Sequence, residues 1–84
     1  MNILPRLNVS SKEYSATTTF AQNQNRGYMA VYTDANAVTV ELGDTGDAFI
    51  LPANSVWEPR VCPTSTIKVT VAAGAFIAVT HHQE

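Results

Sequence analysis

Residues 37–51 read AVTVELGDTGDAFIL, and this stretch decides the fold class. Val38, Val40 and Leu42 alternate with Thr39 and Glu41, the two-residue period of a strand with one face in a core and the other in water. Gly43-Asp44-Thr45-Gly46 supplies turn residues that close that strand. The run 47–51 then opens another, ended by Pro52, Ala53, Asn54 and Ser55. The same rhythm continues outward in both directions. Downstream, 66–71 (TIKVTV) points Ile67, Val69 and Val71 inward, Ala72-Ala73-Gly74 turns, and 75–80 (AFIAVT) follows. Upstream, 28–33 (YMAVYT) precedes an Asp34-Ala35-Asn36 turn, and 14–20 (YSATTTF) precedes a loop ending at Gly27. Segment 56–62 is extended, but Pro59 removes a ladder donor and places it at an edge.

Short strands spaced by turn residues about every eight to twelve positions mean a sandwich or barrel. The expectation is an all-β fold: a small antiparallel β-sandwich or jelly-roll-like barrel of about six to eight strands, with an extended N-terminal arm. No window has a sustained helical period. The predicted core is Val38, Val40, Leu42, Phe49, Leu51, Ile67, Val69, Val71, Ile77 and Val79, with Phe76 on the opposite face from Ile77.

Residues 1–13 have no clear period, and Pro5 bars a regular strand or helix interior there. They read as an arm, and 14–84 as one β-sandwich domain. Ile3, Leu4, Leu7 and Val9 make the arm apolar, so it needs a surface to cover, its own sandwich or a neighbouring subunit. A chain of 84 residues buries only about 60–65% of its unfolded surface and gains from added stabilisation. Cys62 is the single cysteine, which excludes an internal disulfide, and with only His81 and His82 beside it no closed four-ligand zinc set can form. Association is the remaining route.

Five Lys/Arg face seven Asp/Glu, for a net charge of −2, and the basic residues are scattered. That argues against nucleic acid as a partner, since such binders concentrate basic charge on one face. Residues 1–9 lack the apolar core of a signal peptide. The longest apolar run, 71–79, is far short of the roughly 18–20 residues that span a membrane. A soluble chain made in the cytosol is expected. Asn8-Val9-Ser10 fits the glycosylation pattern, which without secretion is a chance match.

No reaction chemistry emerges. Pairing Cys62 with His81 or His82 would require a base held firmly in place, and the expectation is an inert cysteine and solvent-exposed histidines near a frayed end. Asp44 and Asp47 beside Gly46 are ordinary turn residues, without the alternating oxygen ligands of a calcium loop. Glu41 and Glu58 do not read as a hydrolytic carboxylate pair. No enzyme, metal or cofactor is expected. Tyr28, Tyr32 and Trp57 could form a sugar-stacking platform, but Tyr28 and Tyr32 share a parity that a core or interface face also explains.

Residues 47–82, DAFILPANSVWEPRVCPTSTIKVTVAAGAFIAVTHH, resemble the C-terminal half of small virion proteins of tailed bacteriophages. The shared order is an aromatic-aliphatic strand ending in Leu51-Pro52, an aromatic followed by Glu-Pro (Trp57-Glu58-Pro59), a Ser/Thr-rich turn and two Val/Ile strands. The resemblance to capsid decoration (cement) proteins implies a compact, commonly trimeric β-sandwich or jelly-roll-like body seated on the outer face of the major capsid lattice. It implies the major capsid protein and further copies of the chain, as a homotrimer, for partners, and the virion as destination after assembly in the host cytoplasm. The interface candidates are Ile3, Leu4, Leu7, Val9, Tyr28, Tyr32 and Trp57. The alternative is a phage tail- or fibre-associated or carbohydrate-binding β-sandwich module.

Overall fold

The computed structural model describes residues 7–43 and 48–83, and among them the chain is all-β. Eight strands run in order: β1 (Leu7–Tyr14), β2 (Thr18–Phe20), β3 (Arg26–Thr33), β4 (Val38–Leu42), β5 (Ala48–Leu51), β6 (Val56–Trp57), β7 (Ile67–Thr70) and β8 (Phe76–Gln83). They form two four-stranded antiparallel sheets packed face to face, a front sheet ordered β1-β8-β3-β6 and a back sheet ordered β2-β7-β4-β5. The sandwich expected from strand rhythm is present.

The back sheet follows its sequence directly. Val38 and Val40 on β4, Ile67 and Val69 on β7 and Leu51 on β5 are buried, while Thr39, Glu41, Lys68 and Thr70 fall on the opposite parity. The front sheet contributes Met29, Val31, Phe76 and Ala78 to the same core. Leu42 and Val71 pack against it, partly buried. Aromatic pairs close both open edges of the sandwich, as sheet-to-sheet packing with few strands demands. Tyr14 meets Phe20 edge-on at 5.4 Å and stacks on Phe76 at 5.2 Å, and on the other side Phe49 meets Trp57 at 5.5 Å.

Three expectations are corrected. Residues 7–13, read as part of an arm, lie in β1, paired with β8 from Leu7↔Gln83 to Tyr14↔Phe76. Pairing along β8 satisfies the backbone of this segment, so the strand needs no full apolar face of its own. Residues 14–20 are not one strand; β1 ends at Tyr14 and a turn separates it from β2. The parity of β8 is inverted: Phe76 is 1% exposed and Ile77 39% exposed, with Val79 on the Ile77 side. Phe49 shares the inward parity of its partner Val40 but remains partly open, because β5 is an edge strand. Ile3 and Leu4, together with Asp44 and Asp47, lie outside the described residues.

Loop geometry is set by a buried cation. Arg26 is 7% exposed, at a β-bulge of β3. Its Nη1 donates to the carbonyls of Pro63 (2.8 Å) and Ser65 (3.3 Å), and its Nη2 to that of Ala21 (2.7 Å). One side chain thereby fastens the β6–β7 loop to the β2–β3 loop. At the opposite end of β3, the Ser55 amide donates to Thr33 Oγ1 (2.8 Å) and the Thr33 amide to the Ser55 carbonyl (2.9 Å). Asn54 adopts the left-handed conformation there (φ 54°), one that asparagine tolerates.

Candidate functional interface

The outer face of the front sheet is where the chain departs from ordinary sandwich patterning. Alternation along β8 puts Phe76 and Ala78 into the core and therefore turns Ile77, Val79 and His81 outward. Alternation along β3 places Met29 and Val31 in the core and turns Tyr28 and Tyr32 outward, with Ala30 on their side but fully covered. The registers assemble these residues into rows across the strands. One row is Glu13, Ile77, Tyr32 and Val56; the next is Ser11, Val79 and Ala30; the third is Val9, His81 and Tyr28. Val9 is 62% exposed, Val56 51% and Tyr32 41%. An exposed apolar-aromatic sheet face of this composition is a candidate interaction surface.

Polar groups on this face sit at its margin. Tyr28 packs its ring against His81 at 4.7 Å and donates its hydroxyl to Glu58 Oε2. That carboxylate, with a smaller contribution from burial, raises the Tyr28 hydroxyl from its ordinary pKa of 10.0 to about 12. Tyr28 therefore stays a neutral donor across the physiological range. At one end of the first row a groove of about 250 Å³ opens between Glu13, Tyr32, Asp34 and Ile77.

Of the sequence candidates, the structure unites Val9, Tyr28 and Tyr32 on this one face. Leu7 opens β1 opposite Gln83. Trp57 is placed elsewhere: it pairs with core-facing Val31, packs against the core and meets Phe49, so it does not share a platform with the two tyrosines. The residues that sequence reasoning missed are Ile77, Val79 and Val56. For Ile77 and Val79 the signal is that 75–80 is apolar at both parities, as a strand covered on both sides requires, whereas Val56 carries no such signal.

The remaining chemical candidates are dispersed. His81 and His82 are not frayed and exposed; both are half-buried within β8, His81 against Tyr28 and His82 opposite Arg26 on β3. Cys62 is partly buried beside the Arg26 loop, its thiol directed at the Pro63 carbonyl (3.6 Å). Burial pushes that thiol up, against a smaller downward pull from Arg26, so the neutral form prevails at neutral pH. Among the described residues no three His, Cys, Asp or Glu side chains are grouped as metal ligands. In comparison with known proteins, no family model, no curated protein and no solved structure matches this chain.

Proposed function

We propose that this chain is a non-enzymatic assembly module, a capsid decoration (cement) protein of a tailed bacteriophage that binds the outer surface of the major capsid lattice and stabilises the head. The observation that carries the reading is the exposed apolar-aromatic face of the front sheet, Val9, Tyr28, Tyr32, Val56, Ile77 and Val79, on a sandwich whose other outer face is polar apart from Ile50. The resemblance of residues 47–82 to small virion proteins supplies the identity of the lattice. Apolar area covered on docking contributes roughly 25 cal/mol per Å² before association costs. Repetition over many equivalent sites turns a modest contact into durable reinforcement. The chain also associates with itself, as a homotrimer, its edge strands sheltered by neighbouring copies. It works in the virion after assembly in the host cytoplasm, with neither nucleic acid nor membrane as a partner.

The test is co-sedimentation of purified protein with heads lacking decoration, with light scattering of the free protein for its mass. Binding to expanded heads and not to unassembled coat protein is the expected result. Absence of binding to any assembled head would overturn the reading. A second reading, a tail- or fibre-associated or carbohydrate-binding module, is favoured by one observation: Tyr28 and Tyr32 share the open face, with the Glu58 carboxylate alongside. Binding on a glycan array that is lost in Tyr32→Ala would select it.

A further inference from the structure

The groove at the end of the front sheet has a chemistry of its own. Glu13 on β1 and Tyr32 on β3 both lie opposite Ile77 on β8, and Asp34 follows directly after β3. The result is a recess with an aromatic ring and an aliphatic side chain in its wall and a carboxylate on each flank. Glu13 and Asp34 are both exposed. The nearest basic residue in sequence, Lys12, has the opposite parity on β1, and its Nζ lies over the Tyr14 ring at 5.4 Å. Arg26 is spent on loop carbonyls and Lys68 lies on the back sheet. Among the described residues, neither these nor Arg60 lines the groove.

We propose that the groove seats a basic side chain, arginine in first place, presented by the protein that docks on the front-sheet face. The guanidinium fits between the Glu13 and Asp34 carboxylates, where charge-assisted hydrogen bonds are strongest. Its planar group lies against the Tyr32 ring, a cation–π geometry that arginine uses more often than lysine. The methylene stem lies along Ile77. Charge complementarity identifies the occupant. The front face is bordered by Glu13, Asp34 and Glu58, so the complementary surface is an apolar patch rimmed with arginine or lysine. A second copy docking by the same face would bring carboxylate against carboxylate.

This inference rests on the front sheet being the docking face, and the experiment separates the two. Isotope-labelled protein is titrated with millimolar acetyl-Ala-Arg-Ala-amide, with the lysine and glutamine peptides as controls, and backbone amide shifts are followed. Shifts confined to residues 13, 32–34 and 75–77 are expected, largest for arginine, smaller for lysine and absent for glutamine. They should fade with added salt and disappear in the Glu13→Gln/Asp34→Asn double variant, which retains the fold because both residues are exposed. Equal shifts with the glutamine peptide, no shifts with arginine, or shifts unchanged in the double variant would each overturn the proposal. Head binding by Glu13→Gln/Asp34→Asn at unchanged affinity would also overturn it while leaving the decoration reading intact. Peptide binding without head binding would keep the groove and remove the lattice as its partner.

Discussion

The two sheets are built alike, four antiparallel strands each, yet their outer faces differ. The back sheet shows water Thr19, Thr39, Glu41, Lys68 and Thr70, with Ile50 its one large apolar residue. The front sheet shows Val9, Tyr28, Tyr32, Val56, Ile77 and Val79. The difference teaches that one core needs only one apolar face per sheet, so the second apolar face of the front sheet is not explained by the core. The buried core lies between the sheets, and the proposed docking surface lies on the front.

The sharpest way to break this comparison uses adjacent residues of β8. Phe76→Ala removes a fully buried ring from the core and should destabilise by about 3–5 kcal/mol. Ile77→Ala, one position away on the outer face, should cost less than about 1.5 kcal/mol. Urea denaturation of both variants decides it, and equal losses would mean that the register of β8 is wrong. Next in size is Arg26→Met, which strips donors from three loop carbonyls and should cost about 2 kcal/mol, read from the same denaturation curves. Preservation of full stability would show that the loops hold without the cation.

A third test concerns recognition with stability held nearly level. Val56→Lys on the front face and Ile50→Lys on the back both alter exposed side chains, so each should shift stability by no more than about 0.5 kcal/mol. Only Val56→Lys should weaken head binding in co-sedimentation. Loss in both, or in Ile50→Lys alone, would reverse the assignment of the faces. The smallest effect belongs to Tyr28. Its folded-state pKa stands above the unfolded value of 10.0, so its contribution to stability is complete below pH 10 and is lost as pH rises toward 12. Glu58→Gln should return this titration toward its ordinary range in the ultraviolet absorbance of phenolate. An unchanged titration would separate Tyr28 from Glu58.

How far the fold was legible in the sequence follows the same division. In the back sheet, Val38/Thr39/Val40/Glu41 and Ile67/Lys68/Val69/Thr70 state both period and parity, and burial agrees with them residue by residue. In β8 both parities are apolar, so periodicity casts no vote. The inward side is the one on which Phe76 stacks against Tyr14, itself edge-on to Phe20. β1 carries little apolar signal because its strand state comes from pairing along β8 rather than from its own side chains. The candidate interface was half visible: Val9, Tyr28 and Tyr32 were singled out, whereas Trp57 was misplaced, because the segment around Pro59 does not state which side it turns inward. Glu13 and Asp34 carry no sequence mark at all; strands distant in sequence bring them to one groove.

The position of β8 has a consequence for the order of events in folding. It is the eighth strand in sequence yet lies between β1 and β3, pairing with both. Until it arrives, β1 has no neighbour, β3 keeps only the two-residue strand β6, and the front sheet does not exist. The back sheet contains the local β4–β5 pair and needs nothing beyond β7. Closure of the front sheet therefore depends on long-range pairing, the slow kind. Strand edges left unpaired before that closure are the kind that favour aggregation.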